Sequence, residues 1–161
     1  MNGREPAPGP DSGPGPGPGE ALFAFVRHWS RKSSGGDPSV AEQGRLVLVT
    51  EAVHALERRG AAATVNGVAD EIGIDQSGAS RLVKGATEAG YLTLRPSETD
   101  GRRRHATVTP SGHALLEHAH AWQERVFDRL TEGWSERRRR DFREAMTELM
   151  DRSYGLEGPD A

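Results

Sequence analysis

Apolar side chains recur with helical spacing in two stretches near the start of the chain. Within residues 20–32 they fall at positions i, i+3, i+4 and i+7, which predicts an amphipathic helix. A second helix is predicted to begin at Asp37-Pro38 or Ser39 and to run to about Arg59, where Gly60 should end it. The two apolar stripes consist of Leu22, Phe25, Val26 and Trp29 in the first helix, and of Val49, Val53 and Leu56 in the second.

The stretch TVNGVADEIGIDQSGASRLVKGATEAGYL contains two shorter helical patterns separated by a three-residue turn. Thr64 is expected to cap the first helix and Asp75 the second, with Gly73 in the turn and Gly90 at the end. Two helices joined by a short turn that contains glycine form a helix-turn-helix. The inward-facing residues are predicted to be Val65, Val68, Ala69 and Ile72, then Ala79, Leu82, Val83 and Ala86.

The outer face of the second of these helices is polar and free of acidic residues from Gln76 to Thr87. In a helix-turn-helix the N-terminal half of this helix enters the major groove of DNA, where small side chains permit close approach and cations reach phosphates or guanine. The alternative is an ordinary solvated helix face. The candidate recognition residues are Gln76, Ser77, Ser80, Arg81 and Lys84.

Two short segments with the alternating pattern of β-strands follow the helix-turn-helix. Residues 91–95 and 105–109 alternate as strands do, and a turn-rich tip at 96–104 separates them. A helix-turn-helix followed by a two-stranded hairpin is a winged helix. The predicted fold class is therefore mainly α with a small β-hairpin wing, flanked by N- and C-terminal helices.

Charge is distributed unevenly along the chain. Residues 76–104 hold six positive and three negative residues, a balance of +3, whereas the whole chain is −3, so the remainder is −6. Positive charge is thus concentrated in the segment that a winged helix presents to DNA.

Two further helices are predicted after the hairpin. Ser111 is a plausible cap of the first, Gly133 should end it, and Ser135 should cap the last. The run ERRRR at 136–140 has acidic neighbours and is interpreted as a solvated face. These apolar stripes exceed what a lobe of roughly 60 residues needs, which favours burial against a partner chain. Their members are Ala114, Leu115, Ala119, Trp122, Val126, Phe127 and Leu130, then Phe142, Ala145, Met146 and Leu149.

The composition excludes several classes of function. The chain has no cysteine, which excludes disulfide, thiolate-zinc and iron–sulfur chemistry. It contains neither a membrane-length apolar run nor a signal-peptide pattern, so a cytoplasmic location is expected. Residues 1–19 alternate proline and glycine and are predicted to be a disordered tail, and residues 156–161 a frayed end.

With these motifs the sequence resembles the MarR (multiple antibiotic resistance regulator) family of winged-helix repressors. The resemblance covers about residues 20–155 and is carried by VADEIGIDQSGASRLVKGATEAGYL and TDGRRRHATVTPSGHALL. The second stretch has Asp-x-Arg at Asp100 and Arg102, then Thr-x-x-Gly at Thr109 and Gly112. It departs from the family at Ala86, where leucine is common, and in the interior glycines Gly67, Gly78 and Gly85; Gly78 either permits close approach to DNA or makes the lobe pliable.

The resemblance implies a homodimer that reads a pseudo-palindrome in double-stranded DNA. Residues 38–110 would form the DNA-binding lobe, and 20–32 with 111–155 the dimerisation helices. It further implies that Arg102 enters the minor groove and that Asp100 braces it, although Asp-Gly also favours a tight turn by itself. Arg103 and Arg104 would contact phosphates or pack on the wing.

Members of the family often bind small, commonly anionic aromatic effectors between the winged lobe and the dimer helices. The corresponding candidate pocket residues are His28, Trp29, His54 and Trp122, with a purely structural role for both tryptophans as the alternative. His113, His118 and His120 lie on one helix at spacings that do not suit a metal pair, so neither a metal nor a cofactor is expected, and no pattern indicates an enzyme.

The function predicted from the sequence is a dimeric, sequence-specific DNA-binding transcriptional regulator, most simply a repressor released by a small ligand. The alternative is a winged-helix protein-interaction module without specific DNA binding, in which the arginines bind an acidic protein.

Overall fold

The computed structural model describes Gly15 and residues 17–34, 38–96 and 104–153. The predicted N-terminal tail up to Pro14, the end of the chain from residue 154, and the wing tip at 97–103 lie outside these residues. The described elements follow the predicted order: α1 Pro18–Ser34, α2 Pro38–Arg58, α3 Val65–Ile72, α4 Gln76–Glu88, β1 Leu92–Pro96, β2 Arg104–Val108, α5 Pro110–Leu130 and α6 Glu136–Ser153. None of the described helices combines the length and the apolarity that crossing a membrane requires.

The core lies where α2, α3, α4 and the hairpin meet. The predicted stripe of α2 is buried, and the predicted inward faces of α3 and α4 are buried or half-buried against it, because apolar residues at helical spacing gather on one side. Thr50 is also fully buried and donates its hydroxyl to the Leu46 carbonyl oxygen at 2.7 Å. The buried cluster comprises Val49, Ala52, Val53, Leu56, Ala63, Val68, Ala69, Ala79, Val83, Ala86, Leu92 and Ala106.

The hairpin pairs β1 with β2 in antiparallel register, with Leu92 opposite Val108 and Pro96 opposite Arg104. Both strands begin and end one residue away from the predicted limits. Tyr91 lies just before the ladder, and its carbonyl oxygen accepts from the Thr109 backbone N–H at 3.0 Å. The hairpin is therefore closed at its base by Tyr91, which follows α4, and Thr109, which precedes α5.

Helix α5 begins differently from the prediction. Ser111 is not the cap; Thr109 has extended backbone angles, its hydroxyl accepts from the Gly112 N–H at 3.0 Å, and Pro110 occupies the first turn. The reason is that proline fits the first helical position, where its missing N–H is not needed, and this moves the cap to the residue before it. Ser135 does cap α6, since its hydroxyl accepts from the Arg138 N–H at 3.2 Å.

The apolar stripes of α1, α5 and α6 remain largely uncovered in the single chain. On α5 only Gly112, Leu115 and Leu116 are buried, whereas Trp122 is 54% and Leu130 53% exposed. The predicted buried side of α5 is therefore not covered within the single chain, and its burial against a partner chain stays a prediction. Helix α6 has no buried residue at all. Helical spacing shows that a face is apolar but not what covers it.

Candidate nucleic-acid interface

The turn between α3 and α4 sets the direction of the candidate recognition helix. The Thr64 hydroxyl accepts from the Gly67 N–H at 3.1 Å and so caps α3. Gly73 then takes a left-handed conformation at φ 75°, which a glycine adopts without steric cost. Two residues later Asp75 caps α4, accepting from the Gly78 N–H at 2.9 Å. Two caps and one glycine thus fix the angle between the helices.

The cap of α4 is also an electrostatic feature. The Ser77 hydroxyl donates to the Asp75 carboxylate, and this bond, with the Gly78 N–H next in importance, lowers the pKa of Asp75 below its ordinary value. Arg81, one turn further along, contributes in the same direction. Asp75 is fully exposed, so its negative charge is held at the helix N-terminus by hydrogen bonds and not by burial.

All five candidate recognition residues lie on the exposed side of α4. Their opposite face carries Ala79, Val83 and Ala86, which are buried in the core. The Lys84 ammonium lies 3.7 Å from the Glu88 carboxylate, and both side chains are exposed to solvent. The structure therefore brings together, on one solvent-facing surface, Gln76, Ser77, Ser80, Arg81 and Lys84.

The hairpin contributes two further exposed cations. Arg95 on β1 and Arg104 at the start of β2 are both exposed, and Arg104 lies opposite Pro96 at the last described pair. Asp100, Arg102 and Arg103 belong to the segment outside the described residues, so their predicted roles stay predictions. The exposed Arg95 was counted in the basic segment but was not among the predicted site residues.

The hairpin is attached to the lobe along the outer edge of β2. The Ala106 N–H donates to the Ala63 carbonyl oxygen at 2.8 Å, and the Val108 N–H donates to the Glu57 carboxylate at 3.2 Å. Sequence reasoning missed Glu57, because no local pattern distinguishes it from any other acidic residue at the end of a helix.

The four candidate pocket residues are not gathered in one place. His28 and Trp29 line an open cleft of about 690 Å³ between α1 and the end of α5, together with Phe25, Val126, Arg129, Leu130 and Glu132. His54 instead meets His113 edge-on, with ring centroids 5.3 Å apart, between α2 and α5. Trp122 lines neither of these sites. The cleft combines aromatic rings with the Arg129 guanidinium and the Glu132 carboxylate.

The remaining histidines of α5 are held separately. His118 Nδ1 lies 2.7 Å from the Ala114 carbonyl oxygen, and His120 Nε2 lies 2.8 Å from the Glu51 carboxylate. Within the described part of the chain, no group of three or more histidine or carboxylate side chains is placed to hold a metal ion.

Two arginines of the basic run of α6 make structural contacts. Arg138 stacks over the Trp134 ring at 4.1 Å, and Arg139 binds the Asp128 carboxylate at 2.6 Å and the Thr131 carbonyl oxygen at 3.2 Å. These contacts join α6 to the end of α5.

Comparison with known proteins agrees with this architecture. A protein-family model described as MarR family matches residues 48–103, which cover the second half of α2, the helix-turn-helix and β1. Comparison with curated protein sequences gives no match.

Solved structures extend the likeness to most of the chain. MarR is 19% identical with a TM-score of 0.62, covering 86% of this chain and 99% of its own. An S. aureus MepR–DNA complex is 16% identical with a TM-score of 0.54, covering 81% of this chain and 96% of its own. Bordetella bronchiseptica BpsR, described with a mechanism for regulation of DNA binding by 6-hydroxynicotinic acid, is 20% identical with a TM-score of 0.51, covering 81% and 99%. Residues 48–103 thus match the MarR family, and the helix-turn-helix, the hairpin and the flanking helices give the chain the winged-helix fold of the MarR structure.

Proposed function

We propose that this protein is a transcriptional regulator that binds double-stranded DNA through α4 and the β1–β2 hairpin. The observation that carries the proposal is the exposed polar face of α4, which has two cations and no acidic residue before Glu88 and lies on a rigidly capped helix. The match of residues 48–103 to the MarR family supports it, and so does the fold shared with a MepR–DNA complex.

Helix α4 would enter the major groove with its N-terminal half. Ser77 and Ser80 are small enough to let the helix approach the base edges closely. Because the Ser77 hydroxyl donates its proton to Asp75, it presents only its lone pairs to DNA. Gln76, Arg81 and Lys84 then supply the donors for bases and phosphates.

The hairpin would contact the neighbouring minor groove. Arg102 is the proposed minor-groove residue and Asp100 its brace, while Arg103 and Arg104 contact phosphates. A narrow A·T-rich minor groove has an enhanced negative potential, which favours an inserted guanidinium. Arg104 and Arg95 are exposed on the described part of the hairpin and add positive charge near its tip.

The active form would be a homodimer formed by α1, α5 and α6. Their apolar stripes are uncovered in one chain, and α5 and α6 enclose an open groove of about 710 Å³ with Phe127, Phe142, Met146 and Met150 among its lining residues. Large exposed apolar surfaces usually mark a protein interface. A two-fold dimer would place two α4 helices on a pseudo-palindromic operator, with half-sites about one helical turn apart.

A small aromatic or anionic effector would release the protein from its operator. The protein would then be a cytoplasmic repressor. The cleft at His28 and Trp29 offers aromatic faces and the Arg129 guanidinium, which suit such a ligand. The shared fold with BpsR, described as regulated by 6-hydroxynicotinic acid, supports an aromatic acid as the first compound class to test.

The experiment that tests the proposal is DNA selection with the purified full chain, followed by gel-shift titration of an enriched duplex. Arg102→Ala should weaken binding at least roughly tenfold, since a buried charged contact is worth about 1.5–3 kcal/mol. Arg137→Ala on α6 is the matched control. It removes an 84% exposed arginine that belongs to neither α4 nor the hairpin, so this variant should bind as the wild type does.

Salt dependence provides a second readout. Affinity should fall steeply with salt, because phosphate contacts release counterions. A selection that enriches no sequence, with arginines that instead capture an acidic protein, would establish the protein-interaction alternative and overturn the DNA-binding proposal.

A further inference from the structure

The outer edge of β2 carries backbone N–H groups that β1 cannot satisfy. The sheet has two strands, so β2 is paired on one side only. On its other side Ala106 donates to the Ala63 carbonyl oxygen, and Val108 donates to Glu57 Oε1 at 3.2 Å. A side chain 51 residues away in sequence therefore supplies one of two described backbone bonds along this edge.

Glu57 lies in the last turn of α2, next to the buried Leu56. Two residues later, Arg59 binds the Glu71 carboxylate of α3, with Nη1 3.3 Å from Oε1. The end of α2 thus contacts the hairpin through an acidic side chain and the helix-turn-helix through a basic one. The hairpin and α3, the first helix of the helix-turn-helix, are therefore both bonded to residues at the C-terminal end of α2.

We propose that Glu57 is a positioning residue for the wing: its carboxylate holds the β2 backbone so that the hairpin meets DNA at a fixed angle to α4. This inference rests on the proposed function. A two-stranded hairpin is marginally stable by itself, so its orientation depends on its attachments to the lobe. Among these, the bond to Glu57 has a carboxylate acceptor, and a hydrogen bond to an ionised acceptor is stronger than one between neutral groups.

The negative charge of Glu57 and its hydrogen bond to Val108 predict opposite effects of its removal on DNA binding. As a negative charge on a DNA-binding lobe, Glu57 repels phosphates, so its removal by itself would strengthen binding. As an acceptor for Val108, its loss would free the wing and weaken binding. Glu57→Gln keeps the reach and an oxygen acceptor but removes the charge. Glu57→Asp keeps the charge but is one methylene shorter.

The first test compares Glu57→Gln, Glu57→Asp and Glu57→Ala in the full chain by titration of the selected duplex at fixed salt. The glutamine variant should bind within about twofold of the wild type, and the other two should bind roughly fivefold or more weakly, the size of one lost hydrogen bond. Wild-type or tighter binding by the aspartate and alanine variants overturns the inference. If Glu57→Ala fails to fold, the comparison of glutamine with aspartate decides.

A double-mutant cycle then asks whether the effect passes through the wing. Glu57→Asp is measured in the wild type and in the Arg102→Ala background. If Glu57 acts by positioning the wing, the loss should shrink once the wing arginine is absent, because interacting sites are not additive. An equal loss in both backgrounds means a general weakening of the lobe and overturns the inference.

Amide hydrogen exchange separates this inference from the proposed function. Without DNA, the Val108 N–H should exchange faster in the aspartate and alanine variants and near the wild-type rate in the glutamine variant. Unchanged exchange in the alanine variant overturns the inference. A wild-type chain that selects no DNA overturns the proposed function, and Val108 exchange then still reports whether Glu57 anchors the hairpin.

Discussion

Gly112 lies directly against the backbone of Tyr91. A Cβ atom at Gly112 would come within 2.3 Å of the Tyr91 carbonyl oxygen and 2.8 Å of Val108 Cγ1, closer than real Cβ atoms approach. The same corner is closed by the Thr109 hydroxyl, which lies 2.7 Å from the Gly90 carbonyl oxygen and donates to it. The start of α5 is therefore packed onto the base of the wing, and this contact fixes where α5 begins relative to the lobe.

Gly112→Ala should destabilise the fold by about 1–3 kcal/mol, the usual cost of forcing an extra group into a packed site. The added methyl meets backbone, which moves less easily than a side-chain end. Urea unfolding followed by circular dichroism measures the change. Gly85→Ala is the matched control, since a Cβ there meets nothing within 4 Å and should stabilise α4 by about 0.5–1 kcal/mol. Equal stabilities for the two variants would contradict the packing shown at Gly112.

The Asp75 cap should make the stability of α4 depend on pH. Hydrogen bonds from Ser77 and Gly78 lower the pKa of Asp75 in the folded state below its value of about 3.9 in the unfolded chain. The unfolded state therefore binds more protons in this window, so the contribution is fully present above about pH 4. It is lost as pH falls through the lowered folded-state value.

Other carboxylates titrate in the same range, so the measurement must be a difference. Asp75→Ser keeps a capping oxygen that does not titrate. The stability advantage of the wild type over this variant should shrink between pH 6 and pH 3, and the protection of the Gly78 N–H relative to its intrinsic exchange rate should fall in the wild type alone. A difference that stays constant with pH would show that the ionised carboxylate does not stabilise the cap.

Local chemistry explains why much of the fold was predictable. Gly60, Gly73, Gly90 and Gly133 were each expected to end an element, and all four have positive φ angles, from 69° to 82°. Glycine is the residue least strained by a left-handed backbone conformation, so a glycine in the sequence indicates where each element ends. The caps at Thr64, Asp75 and Ser135 follow from side-chain oxygens in the same direct way.

Long-range contacts explain what sequence reasoning missed. Nothing near Glu57 indicates that its partner is Val108, because the bond depends on how α2 crosses the hairpin. The stripe on α5 was correctly identified as apolar, yet Trp122 is half-exposed in the single chain, since helical spacing carries no information about the covering surface. The cap at Thr109 was missed because proline in the next position moves the helix start back by two residues from Ser111.

The basic run of α6 should stabilise the fold and leave DNA binding unchanged. Arg139 is 26% exposed and binds Asp128 and the Thr131 carbonyl oxygen, so Arg139→Ala should lower stability by about 1 kcal/mol. Arg137→Ala removes an exposed charge from the same helix and should change stability by less than about 0.5 kcal/mol. Thermal unfolding and duplex titration are run on both variants. Weaker DNA binding at unchanged stability would make this run a second nucleic-acid surface.

The proposed dimer makes the uncovered stripe of α5 an interface. Leu130 is 53% exposed in the single chain, so Leu130→Glu should leave the lobe folded but place a charge in an apolar interface. The dissociation constant of the dimer should then rise at least roughly tenfold, the effect of about 1.4 kcal/mol. Sedimentation velocity over a concentration series measures it. Gln123→Glu, an exposed polar position on the same helix, adds the same charge and should leave the dimer intact. If the leucine variant stays dimeric, or both variants dissociate alike, the self-association of this chain does not use the stripe of α5.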